Sequence, residues 1–240
     1  MTTSTMKTPA TSAYWAGLRD GAPFILVAAP FAMVFGVVAT DAGLTLAQVM
    51  GFSVLVIAGA SQFAALQMMV ENASIAFVLL AALAVNLRMA MYSASLVPHL
   101  GAAPLWQRAC VAYLNFDQPY LLSISRYEAR PAMTVPERFA YFIGAATPIT
   151  PLWFLMTYVG VVAGKSISDA WALDFIMPIM FLALVAPMVK SLAHAAAAAV
   201  SVSVGLLLVG LPSGTGLLIA AGAAMLTGAL VEVWLEKRAQ

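Results

Sequence analysis

The sequence predicts an all-α membrane protein, a polytopic helix bundle, on two observations. The first is composition: hydrophobic residues make up 63% of the 240 residues, charged residues only 9%, and the mean hydropathy is +0.95. A soluble domain carries roughly 25% charged residues. The second is that the apolar residues fall in runs long enough to cross a bilayer as helices, which takes about 20 residues each.

Eight such runs follow one another along the chain: Ala22–Thr40, Ala47–Val70, Ile75–Val97, Leu105–Ser123, Phe139–Ala163, Ala172–Val189, Ala193–Leu211 and Gly216–Leu235. The fourth is the weakest, because it is interrupted by Asn115, Asp117, Gln118 and Pro119. A seven-span protein in which this segment is re-entrant is therefore the main alternative. Residues 1–20 are predicted to be a flexible cytoplasmic N-terminus, and residues 21–240 a single transmembrane transport domain.

The basic residues between the runs predict the orientation. With eight spans, only Arg108 and Lys165 fall on one side, and the other side holds Lys7, Arg19, Arg126, Arg130, Arg138, Lys190, Lys237 and Arg238. Cytoplasmic loops carry an excess of Lys and Arg. Both termini are therefore predicted to be cytoplasmic, and the clean division of charge favours eight spans over seven.

A short repeat indicates a two-fold internal duplication. Gly36-Val37-Val38-Ala39 recurs as Gly160-Val161-Val162-Ala163, and each copy ends a proline-containing run. Transporters are often built from such halves, with the substrate site where they meet. Chance is the competing explanation, because the tetrapeptide consists of residues that are common in membrane helices.

Charged residues inside the runs are the strongest functional signal. Arg88 lies near the centre of the third run, where an arginine costs between ~2.5 and over 10 kcal/mol. Tyr92 and Ser95 follow at i+4 and i+7 and share its helix face, whereas Asn86 points elsewhere. Asp117 is the one carboxylate well inside any run. Arg88 and Asp117 are predicted to meet, either as a structural ion pair or as groups that bind a substrate and carry a proton.

Two further segments are candidates for substrate binding. Pro30 and Gly36 in the first run predict a helix broken or kinked near Pro30, whose freed backbone groups could bind the charged ends of a ligand. A kinked packing helix is the alternative. Ser61 and Gln62 lie in the second run, and the Gln62 amide could bind either end of a zwitterion. An interhelical hydrogen bond, worth ~0.6 kcal/mol on average, would explain Gln62 equally well.

Several classes of function are excluded or disfavoured. The net charge of +1 gives no sign of nucleic-acid binding, and a single cysteine, Cys110, rules out a disulfide framework. No enzyme signature occurs, so no catalytic residue, metal or cofactor is predicted. An ion-permeation channel subunit and a non-transporting membrane scaffold remain as alternatives to a transporter.

Taken together, the segments resemble the AzlC family, the large subunits of bacterial branched-chain amino acid exporters. The matching pieces cover roughly the first 125 residues: Gly21-Ala22-Pro23, Phe35-Gly36, Gly59-Ala60-Ser61-Gln62-Phe63, Asn86-Leu87-Arg88, Tyr92-Ser93-Ala94-Ser95-Leu96, Pro98 and the region of Asp117. Gln118 stands where the family often has Glu. The resemblance implies a bacterial inner-membrane exporter of valine, leucine, isoleucine or methionine, with a small membrane subunit of the AzlD type as partner.

Overall fold

The computed structural model describes residues 10–164, 189, 191–211 and 215–239, and the secondary structure of these residues is entirely helical, which confirms the predicted all-α class. The sixth apolar run, apart from Val189, lies outside them. The helices described are α1 (Ala10–Gly21), α2 (Ile25–Asp41), α3 (Leu46–Leu55), α4 (Gly59–Val70), α5 (Ile75–Leu100), α6 (Leu105–Tyr113), α7 (Asp117–Ala129), α8 (Val135–Ala146), α9 (Thr150–Gly164), α10 (Leu192–Leu207) and α11 (Thr215–Ala239).

The chain divides into two compact units. Unit 1 contains the described residues of Met1–Gln62 and Val85–Ile167, and unit 2 those of Phe63–Ala84 and Ser168–Gln240. All the candidate site residues of the sequence analysis lie in unit 1. In unit 2, α10 and α11 form an antiparallel pair in which small residues meet, Gly205 with Ala220 and Ala197 with Gly228. Such small faces let membrane helices approach closely.

Two parallel helix pairs form the frame of unit 1. Helix α1 packs on α8, and α2 packs on α9. Within each pair the contacts follow the same direction along both helices, from Gly17 on Tyr141 to Gly36 on Thr157. A Cβ atom added to Gly36 would overlap the backbone of α9, and one added to Gly160 would overlap the backbone of α2. The repeated Gly-Val-Val-Ala segments therefore begin with the glycines that let these helices touch backbone to backbone.

The frame also contains a similar interruption in each half. A 3-10 turn, Ala22–Phe24, separates α1 from α2, and a turn at residues 147–149 separates α8 from α9. Pro23 lies in the first turn and Pro148 in the second. Helices α1 and α8 have 12 residues each. These matched elements support an internal repeat, although the segment that follows α9 lies outside the described residues.

Two expectations about residues 10–41 differ from the structure. Residues 10–20, expected to be flexible, form α1, because Ala13, Gly17 and Gly21 give this helix a small face that is buried. Of the break or kink expected near Pro30, the break is absent, because α2 continues through Pro30; the interruption lies at Ala22–Phe24 instead. Pro30 lies five residues after the start of α2 and is exposed, so the helix loses one backbone hydrogen bond without a clash in the core.

The fourth apolar run is a helical hairpin rather than a straight span. Helix α6 starts after the end of α5 and runs back along it, and Asn115 then reaches the Met89 carbonyl oxygen at 3.4 Å. Helix α7 next runs parallel to α5, because Asp117 meets Arg88 and Tyr127 meets His99. The chain thus reverses at Leu114–Phe116, between the two helices, and both outer ends lie at the same end of unit 1.

The second run also turns back. Phe52 of α3 packs on Phe35, and further along the chain Gly59 packs beside Phe31, which is nearer the start of α2. Gln62 then returns to bond Ser53. The reversal occurs at residues 56–58, where the Ala58 N–H donates to the Val56 carbonyl oxygen at 2.9 Å in a tight turn.

These reversals change the predicted topology. Among the described residues, four helical segments are long and apolar enough to cross a membrane: Ala10–Asp41, Ile75–Leu100, Val135–Gly164 and Ile219–Arg238. The re-entrant alternative for the fourth run is the one that agrees with the contacts. Arg108 then lies at the same end of unit 1 as Arg126, Arg130 and Arg138. The charge argument that favoured a straight fourth span therefore fails, since the hairpin groups these arginines at least as well.

Candidate functional site

The predicted meeting of Arg88 and Asp117 is confirmed. Arg88 Nη1 lies 3.3 Å from Asp117 Oδ2, and the Tyr92 hydroxyl donates to Asp117 Oδ1 at 3.0 Å. The arginine and aspartate side chains keep 22% and 31% of their accessible surface. Asp117 is the first residue of α7, so its carboxylate lies at the partial positive charge of the helix N-terminus. Asp117 thus contacts Arg88 and Tyr92 and lies at a helix N-terminus, and both side chains of the ion pair remain partly exposed.

A second tyrosine extends this cluster. The rings of Tyr92 and Tyr120 stack with centroids 4.0 Å apart and planes 8° from parallel, and the Tyr120 hydroxyl donates to Ser95 Oγ at 3.1 Å. Of the sequence candidates, Arg88, Tyr92, Ser95 and Asp117 are therefore brought together. Tyr120 was not among them. Its spacing of three residues after Asp117 on a helix was the signal that could have identified it.

The turn between α6 and α7 is fixed by polar contacts to α5. Asn115 is buried, and its Nδ2 donates to Ser93 Oγ at 3.0 Å and to the Met89 carbonyl oxygen at 3.4 Å. Three polar atoms in this region of the sequence are buried without a hydrogen-bond partner among the described residues: Asn115 Oδ1, Asn86 Oδ1 and Arg88 Nε. Buried polar atoms normally find partners. Of these, Arg88 Nε belongs to the ion pair itself, and an unused donor there is what a polar ligand could bind.

The other predicted polar residues form a separate cluster at the turn between α3 and α4. Gln62 Nε2 donates to Ser53 Oγ at 3.2 Å, and Ser53 shares a 3.1 Å hydrogen bond with Thr157 of α9. Gln62 is 1% exposed, and its Oε1 has no partner within the described part of the chain. Ser61, its neighbour, is also buried. Sequence reasoning missed Ser53 and Thr157 because only a reversal of the chain brings them to Gln62.

The two turns are joined to each other. The Tyr113 hydroxyl at the end of α6 donates to the Val54 carbonyl oxygen near the end of α3 at 2.6 Å. In an uninterrupted helix that carbonyl would accept from the Ala58 N–H, which instead bonds Val56. Ile57 and Phe116, from the two turns, also lie in one apolar cluster with Trp153. The non-helical turns of the two hairpins, at residues 56–58 and 114–116, therefore meet inside unit 1.

The remaining sequence candidates lie elsewhere. Pro30 is exposed on α2, and Gly36 is buried against the backbone of α9 with no space beside it for a ligand. Asn86 lies on α5 two residues before Arg88, and its side chain makes no hydrogen bond to the Arg88–Asp117 cluster. Gly36 therefore has a packing role in the structure, whereas the binding roles assigned to the other residues stay predictions.

These features define a helical membrane protein in which two interrupted helical hairpins carry polar groups and an ion pair into an apolar interior. The chain belongs to the AzlC family, since the family model described as "AzlC protein" matches residues 23–167. It is 25% identical over 183 residues, 72% of each chain, to the Inner membrane protein YgaZ of Escherichia coli (strain K12). No solved structure matches it. Family membership and the four apolar segments long enough to span a bilayer together indicate a multi-pass membrane protein.

Proposed function

We propose that the protein is a secondary exporter of branched-chain amino acids, with Arg88 and Asp117 at its substrate site. The observation that carries the proposal is the partly exposed pair of opposite charges at the turn between α6 and α7. An amino acid brings one charge of each sign and an apolar side chain. Near the turn, unit 1 offers a cation, an anion and an apolar cluster.

The substrate carboxylate would bind Arg88. The guanidinium uses Nη1 for Asp117, and its Nε is buried and has no partner among the described residues. A guanidinium presents several N–H donors in a planar fork and binds a carboxylate through two of them at once. Arg88 can therefore accept a second carboxylate through the edge containing Nε while it keeps Asp117 beside it.

The substrate ammonium would bind Asp117 and compete there with a proton. An ionised carboxylate attracts an ammonium group through its negative charge and accepts its hydrogen bonds, whereas a protonated carboxyl is neutral and loses that attraction. Mutual exclusion of the two ligands at one carboxylate gives exchange: a proton enters as the amino acid leaves. Asp117 is thus the proposed proton carrier, and the substitution Gln118 for the family's common Glu leaves this role to a single carboxylate.

The apolar side chain of the substrate would lie against the cluster at the two turns. Ile57, Phe116 and Trp153 are buried there, and Met89, the residue after Arg88, packs against them. A pocket of this kind discriminates one methylene group by only ~1–3 kcal/mol. The proposed exporter therefore handles valine, leucine, isoleucine and methionine with loose selectivity. A small membrane subunit of the AzlD type is the proposed partner.

Efflux from preloaded cells tests the proposal. Cells are loaded with labelled leucine. Cells that express the protein, alone or together with its proposed small partner, should lose label faster than cells that do not express the protein. Asp117→Asn should abolish the dependence of efflux on external pH, measured from about pH 6 to pH 8. Asp41→Asn, which changes an exposed carboxylate at the end of α2, is the matched control. Unchanged pH-dependent efflux in Asp117→Asn excludes the carrier role.

A further inference from the structure

A line of polar side chains continues from the Arg88–Asp117 pair toward one end of unit 1. On α5 it consists of Arg88, Tyr92, Ser95 and His99, and on α7 of Asp117, Tyr120 and Tyr127. We call this set the polar seam. The two helices are parallel, so their polar residues meet level by level: Arg88 with Asp117, Ser95 with Tyr120, and His99 with Tyr127.

The polar seam is closed on one side and open on the other. Leu96 and Leu100 of α5 turn into a buried apolar cluster with Val111 and Tyr141, which closes one side. In contrast, Arg88 and Asp117 remain 22% and 31% exposed, and the other members on α5 and Tyr120 are only half-buried. Tyr127, the last member on α7, belongs to the buried cluster and so forms part of the closed side. If the open side faced hydrocarbon, the charged pair would carry a penalty of several kcal/mol. Water on that side removes the penalty.

The open path reaches only one end of unit 1. His99 is the second-to-last residue of α5, and Arg138 donates to the His99 carbonyl oxygen there and lies over the Tyr127 ring. The end of α7 and the starts of α6 and α8 also place Arg108, Arg126 and Arg130 there. We call this the arginine-rich end. In the other direction, the buried cluster of Ile57, Phe116 and Trp153 closes the interior beyond Asp117.

We propose that the polar seam is a water-filled half-channel that connects Asp117 with the aqueous phase at the arginine-rich end and not at the opposite end. It rests on the proposed function in one respect: it gives the route by which the proton of Asp117 is exchanged. The half-channel itself is a property of the resting protein and can be measured without any transport.

Cysteine labelling in membrane vesicles tests the half-channel. Cys110, the single native cysteine, is exposed and is first replaced by serine. Ser95→Cys and Tyr120→Cys then place one thiol in the polar seam from each helix. Their controls are Ala94→Cys and Leu121→Cys, neighbours at nearly the same depth whose side chains are exposed outside the seam. The probe is a charged, membrane-impermeant methanethiosulfonate, which reacts with the thiolate that forms in water.

We expect both seam cysteines to react at least about tenfold faster than their neighbours, because a thiol in hydrocarbon does not ionise. The positive-inside rule identifies the arginine-rich end as cytoplasmic, so the reaction should occur in inside-out vesicles and not in right-side-out vesicles. Equal rates at seam and control positions, protection of both seam cysteines, or labelling from the opposite face would each overturn the half-channel. Two seam positions on different helices guard against one variant that fails to fold.

Failure of this test and failure of the proposed function are distinguishable. Labelling of the seam without leucine efflux would retain the half-channel and reject the exporter. Efflux with protected seam cysteines would retain the exporter and require another proton route to Asp117.

Discussion

The main effect of the ion pair between Arg88 and Asp117 should be that each charge compensates the other in the interior. Its net contribution to the free energy of unfolding should be smaller. At a separation of 3.3 Å and an effective dielectric constant of about 20, two unit charges attract by about 5 kcal/mol. Desolvation offsets much of this attraction. Removing one partner of a fully buried pair costs about 3–5 kcal/mol, and an exposed pair contributes less than about 1 kcal/mol. With 22% and 31% of their surface exposed, these side chains lie between the two limits.

We therefore expect Arg88→Ala to lower the free energy of unfolding by about 3 kcal/mol, since Asp117 is left with the Tyr92 hydroxyl as its remaining partner. The double variant Arg88→Ala/Asp117→Ala should lose less, about 1–2 kcal/mol, because no uncompensated charge remains in the interior. The assay is unfolding in mixed detergent micelles, followed by circular dichroism, for the wild type, both single variants and the double variant.

A control cycle uses Gln67 of α4 and Glu71, which follows the end of that helix. This hydrogen-bonded pair is exposed, so its coupling should stay within about 0.5 kcal/mol and the two effects should nearly add. The reasoning is refuted if the effects at Arg88 and Asp117 also add, or if the double variant is less stable than Arg88→Ala. Either outcome would mean that the two charges are solvated independently.

Three other outcomes are expected. Gly160→Ala should destabilise the protein by about 1–3 kcal/mol because the new methyl group overlaps the Met33 carbonyl oxygen, whereas Gly51→Ala, with nothing within 4 Å, should be neutral or slightly stabilising in the same unfolding assay. Pro30→Ala should leave leucine efflux unchanged, since Pro30 is an exposed residue in a continuous helix; a tenfold loss would return it to the substrate site. Efflux rates for valine, leucine, isoleucine and methionine should agree within about 200-fold, and a preference of several orders of magnitude would contradict an apolar pocket.

The sequence was informative where one residue carried an energetic penalty that had to be relieved. An arginine and an aspartate inside apolar runs have few alternatives to each other, so their pairing could be predicted without a fold. Composition and run length predicted the helical membrane class for the same reason. Hydropathy cannot, however, distinguish a span from a hairpin of the same length, because both cover the same number of apolar residues.

The hairpins depend on short interruptions whose signal was mixed. Asn115, Asp117 and Pro119 marked the fourth run as irregular, and the seven-span alternative followed from them. At residues 56–58 the sequence reads Val-Ile-Ala, which carries no turn signal, and the reversal there depends on tertiary partners such as Tyr113. Pro30 gave the opposite error: a residue that breaks helices in water is tolerated on an exposed face of α2.

The contact between Gly36 and Gly160 has a consequence for how unit 1 can move. Where two helices touch through their backbones, no side chains lie between them that could adopt a second rotameric arrangement, so α2 and α9 have a single way to pack. A transport cycle needs at least two arrangements of the protein around its substrate. We therefore expect α2 and α9 to remain one rigid body throughout the cycle. We expect the non-helical residues at 56–58 and 114–116 to be the hinges of unit 1.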